Sequence, residues 1–387
     1  MVNHVRAQMS AKHIPALDGV RGLAALGIFI YHYVGGSHSS YSFIRFAGEV
    51  INFGWAAVSL FFVLSGFLIS GILWESFGAA NWWRRFYWRR SLRIFPLYYF
   101  ALALIFVFTI LFKGNRWPLG CLWPFLIYLQ NTPPLYAVWN KFPNAFALSH
   151  FWSLAVEEQF YLIWPFLLVW RRGNNITARR MCLLIWAMSF GFRVVVRFAG
   201  MKDLWAIGFL AARAGELAMG AYLALAIRDA KMKTVVLKNA PLFFAGSLLA
   251  ILGVIIWAKN AGGETFPMVT VGIAVNGVLF ASLIALCLQP GAVASFFSMR
   301  WLRWLGKISY GIYVYHILLN PLFVWIVSRA FPGLGHVAYF LAIAGVAAIG
   351  TLAIATLSFY GFEAPILRLK QSTQKVARRT KDVNIAT

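Results

Sequence analysis

Runs of about 20 predominantly apolar residues recur along this chain between short polar or basic stretches, and a membrane-spanning helix needs a run of that length. They fall at 20–36, 52–74, 94–112, 150–170, 181–198, 205–227, 241–258, 267–289, 308–327 and 336–360. One water-soluble core cannot bury so much apolar sequence, because soluble cores stop growing and chains split into domains. Composition agrees, with 61% hydrophobic and 12% charged residues, against about 45–50% and 25% in soluble domains. The pattern predicts an all-α integral membrane protein of about ten transmembrane helices, multi-pass in the inner cell membrane and in contact with its lipid. It divides into an N-terminal segment 1–14, a polytopic domain 15–370 and a polar tail 371–387.

Lysine and arginine set the orientation, because loops on the cytoplasmic side carry them in excess. Most of the 35 basic residues gather in alternate loops, such as Arg84 to Arg93, Arg171 to Arg180, Arg228 to Lys238 and the tail after Arg368. Both termini are therefore expected in the cytoplasm. The run 119–130 is short and carries Pro124, with Pro118 just before it, and reads as a re-entrant or interfacial piece. Counting it as a span would put the later basic loops outside. The net charge of +24 does not point to nucleic acid, since the cations sit between apolar runs where such loops belong. Cys121, Cys182 and Cys287 fit no metal or redox spacing. The N-terminus has no signal-peptide pattern, so the first apolar run reads as a retained helix.

Ionisable residues at membrane depth are costly and are functional candidates by default. The first helix enters through Asp18 and Arg21 and reaches His32. Arg21 and His32 are eleven residues apart, on nearly one helical face and about 16 Å apart along the axis. An acyl-CoA needs such a ruler, with phosphates held at the surface and a thioester delivered deep. The plainer reading is a packed histidine and an interfacial arginine. In FFVLSGFLIS, Ser65 and Gly66 either permit close helix packing or open room for a ligand. Arg90 and Arg93 lie three apart, so on a helix they share a face that suits bidentate phosphate binding, or they simply anchor the topology. HFWSLAVEEQFYLIWP opens with His150, holds Ser153, and carries Glu157 into the bilayer, where acceptor binding or acid–base work is the reading. Arg213 and Glu216, at i and i+3, are expected to neutralise each other. His316 lies inside a helix beside Tyr313 and Tyr315, where a lone histidine more often packs than reacts.

Taken together, LDGVRGLAALGIFIYHY, FFVLSGFLIS, WRRSLRIFP, WSLAVEEQFYLIWP, ISYGIYVYHI and GFEAP resemble the membrane acyltransferase-3 family of O-acyltransferases, over about residues 13–370 and in that family's order. The resemblance implies ten spans with both ends cytoplasmic. It also implies transfer of an acyl group, often acetyl from cytoplasmic acetyl-CoA, to an extracytoplasmic glycan, lipid-linked sugar or small hydroxylated acceptor. No cofactor is implied as permanently bound; acyl-CoA is the donor substrate. The family's arginine–histidine pattern falls on Arg21 and His32, its paired arginines on Arg90 and Arg93, and its serine and acid on Ser153 and Glu157. Some members carry a C-terminal soluble esterase-like domain, which this sequence is too short to include.

The mechanism this implies has Arg21, Arg90 and Arg93 gripping CoA phosphates. His32 acts as general base or transient acyl carrier, and Glu157 orients the hydroxyl or supports the imidazolium. His32 and Glu157 would meet if the first and fourth spans were neighbours. The competing class is a polytopic transporter or flippase for a glycolipid or polysaccharide precursor. It predicts internal symmetry and broken helices in corresponding positions of two halves, which the sequence does not display.

Overall fold

The computed structural model describes residues 13–34, 48–113, 122–140 and 148–369, with the backbone alone for 108–113. Among the described residues the chain is helical and contains no strand. The principal helices are α1 (Pro15–Val34), α2 (Ala57–Ser76), α3 (Trp82–Lys113), α4 (Trp152–Trp170), α5 (Asn175–Phe198) and α6 (Leu210–Ala226). They continue with α7 (Ala230–Ala258), α8 (Ile273–Cys287), α9 (Arg300–Leu318), α10 (Asn320–Ala330) and α11 (His336–Ser358). Side-chain caps start two of them: Asn174 accepts from the Thr177 N–H and Asp229 from the Met232 N–H, satisfying otherwise orphaned amide donors. Between α2 and α3, Gly78 at φ +95 and Asn81 at φ +54 turn the chain.

Among the described residues, seven helical stretches are long and apolar enough to cross a membrane: 48–76, 82–107, 175–198, 203–226, 230–258, 268–287 and 336–369. The α9–α10 pair, bent by 61°, makes an eighth if it counts as one span. Against the ten runs expected, α1 and α4 are helices of 20 and 19 residues. Asp18, Arg21 and His32 in one, and Glu157 to Gln159 in the other, dilute their apolar character.

The chain forms two compact units. The first comprises residues up to Gly78 and Gly120–Lys307. Its centre is the crossing of α2 and α6. A Cβ on Gly66 would stand 1.9 Å from the Leu217 carbonyl oxygen, and one on Gly220 1.9 Å from that of Val63. The two backbones are thus in direct contact, which only small residues allow. Gly19 and Gly22 seat α1 equally tightly, against the backbone of Phe297 and of Leu302. At its other end α1 meets the start of α2, where a Cβ on Gly27 would be 3.3 Å from the Ala57 methyl. Because Gly54 also lies against Gly27 and Tyr31, α1 and α2 run antiparallel.

Residues 122–140 fold into this unit without spanning. The helix Trp123–Leu126 has four residues, and Gln130 and Asn131 are fully buried. Gln130 donates to the Phe151 carbonyl at 2.9 Å. Asn131 and Gln159 pair amide to amide, at 3.2 and 2.7 Å. Irregular backbone is tolerated at membrane depth only where protein or water satisfies it, and these amides satisfy backbone carbonyls here.

The second unit comprises Ala79–Leu119 and the residues from Ile308 on. The Tyr310 hydroxyl donates to the Ile94 carbonyl at 2.8 Å, and Gly311 lies against Ala355. α11 ends in a π-helical turn, Phe359–Glu363.

Candidate active site

In the first unit α4 lies along α2, and polar side chains bridge them. The Ser65 hydroxyl donates to Glu157 Oε1 at 2.8 Å, and the Tyr161 hydroxyl donates to Glu157 Oε2 at 3.1 Å. The Ser65 and Tyr161 oxygens are 2.8 Å apart. Glu157 and Tyr161 are at i and i+4, so one face of α4 presents both. Ser70 and Trp164 repeat the bridge lower down, the indole N–H donating to the hydroxyl at 2.8 Å. Of the two roles weighed for that dipeptide, Gly66 takes the packing one, while Ser65 engages a carboxylate.

His32 is exposed near the end of α1. Its Nδ1 lies 2.9 Å from the Ile28 carbonyl oxygen. A carbonyl can only accept, so Nδ1 holds a proton, which makes Nε2 the basic nitrogen of the neutral ring. His316, fully buried in the second unit, has the same arrangement, with Nδ1 2.7 Å from the Tyr313 carbonyl. Asp18 accepts from His13 Nε2 at 2.6 Å and pairs with Arg21 at 3.6 Å.

The Gly27–Ala57 contact fixes the register of these groups. From it, His32 is five residues toward the Val34 end of α1, whereas Ser65 lies eight residues in the opposite direction along α2. At 1.5 Å per residue the separation along the helix pair is about 20 Å. The expected meeting of His32 with Glu157 therefore does not occur. α1 and α4 each pack on α2, but His32 and Glu157 stand at different heights along it. Arg21 and Asp18, six and nine residues from Gly27, share the layer of the Ser65–Glu157 bond.

His150 is buried, in the turn before α4, and the neighbouring Trp152 ring meets Phe62 of α2 edge-on at 6.1 Å. Ser153 is buried, its hydroxyl 3.5 Å from the His150 carbonyl. Arg213 and Glu216 form the expected ion pair, at 3.0 Å with both about 1% exposed. Arg193 joins them as a group sequence reasoning missed: it is 1% exposed and donates to Ser189, Ala212 and Thr270. Tyr161 and the Asn131–Gln159 pair were missed as well. For Tyr161 the available signal was its spacing from Glu157.

In the second unit, α3 carries Arg90 and Arg93 half-buried while Arg84 and Arg85 are exposed. Arg89 is half-buried as well, so burial alone does not single out the pair. Glu363 of the π-helical turn accepts from the Ser358 hydroxyl at 3.2 Å, and Ser358 accepts from Tyr315 at 3.2 Å.

Comparisons with known proteins fit this chemistry. Residues 14–359 match the family model described as an acyltransferase domain. The chain is 29% identical over 379 residues to the peptidoglycan O-acetyltransferase OatA of Listeria monocytogenes, covering 92% of this chain and 56% of that protein. It is 29% identical to the putative peptidoglycan O-acetyltransferase YrhL of Bacillus subtilis, with 92% and 55% covered. With the O-acetyltransferase OatA of Staphylococcus aureus the identity is 26%, over 92% of this chain and 58% of that one. The chain thus spans about half the length of the curated relatives it matches. No solved structure matches it.

Proposed function

The chain belongs to the acyltransferase domain family, a multi-pass protein of the cell membrane, and from that premise we propose that it moves an acetyl group from cytoplasmic acetyl-CoA to a hydroxyl of an extracytoplasmic glycan. Peptidoglycan is the acceptor that the relatives' names supply. The observation that carries this reading is the His32 imidazole, anchored through Nδ1 to the Ile28 carbonyl, on the same helix as Arg21 and about 16 Å from it. In the proposed topology about ten spans leave both termini in the cytoplasm, as the basic loops support.

Arg21 holds donor phosphate in the first unit, and Arg90 and Arg93 serve as a phosphate fork in the second. His32 Nε2 removes the proton from the acceptor hydroxyl as its oxygen attacks the thioester carbonyl. The C–S bond then breaks, and the thiolate of CoA takes the proton back from the imidazolium. Glu157, about 20 Å from His32 along the helix pair, does not reach the same hydroxyl. Its place is the donor's path, where the amides of the pantetheine arm need polar partners once removed from water.

The test is acetyl transfer from radiolabelled acetyl-CoA by the purified full chain in lipid. His32→Ala should lower turnover by about 10²–10⁴-fold, the usual contribution of a general base, with the donor KM little changed. Arg90→Ala with Arg93→Ala should raise the donor KM instead. His32→Ala that keeps a tenth or more of wild-type turnover would remove the histidine from the mechanism.

A further inference from the structure

In the first unit, away from the polar cluster, a crevice of about 320 Å³ opens between α5 and α7, floored by α6 and α8. Leu183, Trp186, Leu223, Val235, Phe243 and Ala285 are among its walls. Its polar groups are few, and the Ser282 hydroxyl is already spent on the Leu279 carbonyl at 2.8 Å. On α7 the lining runs from Met232 to Phe243, eleven residues or about 16 Å. A sugar or a nucleotide would strand its polar groups in such a slot. A single alkyl chain matches its length and dryness. At the far end Trp186 bridges α5 to α8, its indole N–H donating to the Ala274 carbonyl at 3.1 Å.

The near end is cationic. Arg180 is exposed one turn before Leu183, and Lys231 and Lys233 are exposed on either side of Met232. The acidic residue here, Asp229, is engaged by Arg179 at 3.4 Å. An apolar slot with a cationic rim is complementary to a lipid tail under an anionic head. We propose that this crevice is a binding site for an anionic glycerophospholipid, one acyl chain lying along α7 and the phosphate on Arg180 and Lys231. The site needs the membrane but not the reaction, so it stands apart from the acyl-transfer reading.

The test uses the full chain in phosphatidylcholine nanodiscs containing a small fraction of phosphatidylglycerol with a photoreactive group in its acyl chain. Crosslinks should concentrate in peptides holding Leu183–Trp186 and Val235–Phe243, and the same group on phosphatidylcholine should label them several-fold less. Val235→Trp, at a half-exposed wall position, should abolish this labelling by filling the slot. Arg180→Gln with Lys231→Gln should cut the preference for phosphatidylglycerol on the order of tenfold, since each basic residue near anionic lipid contributes about 1 kcal/mol. Labelling spread evenly over α7 and α11, equal labelling by the two lipids, or labelling indifferent to Val235→Trp would each overturn the proposal.

Discussion

The stretches Gly48–Ser76 and Ala230–Ala258 are both 29 residues long and nearly equal in hydropathy, yet 67% of the most apolar window is buried in the first and 22% in the second. Apolar content does not distinguish them. What differs is the small and polar positions. In the first stretch Gly66 touches the Leu217 backbone, and Ser59, Ser65 and Ser70 are joined to Arg213, Glu157 and Trp164. In the second, Gly246 and Gly253 have nothing within 4 Å of an added Cβ. Lipid is as apolar as leucine, so hydrophobicity cannot choose which helix goes inside, whereas close backbone packing and interhelical hydrogen bonds can.

The largest expected effect sharpens this contrast at its polar end. Glu157→Ala removes the partner of two hydroxyls, and kcat/KM for the donor should fall on the order of a hundredfold, as loss of hydrogen bonds to a charged group implies. The loss should lie mainly in KM, opposite to His32→Ala. Next, Gly66→Ala forces a methyl into the Leu217 carbonyl and should cost about 1–3 kcal/mol in unfolding measurements, the usual penalty of overpacking. Tyr161→Phe keeps the ring and loses one bond to Glu157, so donor kcat/KM should drop about tenfold. Smallest of all, Gly253→Ala should shift stability by no more than about 0.5 kcal/mol. Equal costs for Gly66→Ala and Gly253→Ala would break the comparison.

Much of the fold was legible because apolar runs and helices share one length scale. α3 nonetheless starts at Trp82 rather than at 94, because arginine and tryptophan do not stop a helix and Gly78 and Asn81 do. The Arg213–Glu216 pair was legible because its spacing is local. Ser65 and Glu157 are 92 residues apart, and no periodicity says which helices touch. The separation of His32 from Glu157 was hidden for the same reason: it depends on the glycine contact at Gly27, which sets how α1 slides along α2. Arg193 was passed over because its partners are mostly backbone carbonyls, and these leave no mark in a sequence.

Donor and acceptor are proposed to meet the enzyme from opposite faces of the membrane. Inverted vesicles, with the cytoplasmic face outward, can be loaded with a peptidoglycan fragment and given radiolabelled acetyl-CoA outside. Label is expected on the enclosed fragment with the wild-type chain and none above background with His32→Ala. Label that is absent from the enclosed fragment, or that appears equally in right-side-out vesicles given the same external donor, would contradict that proposal.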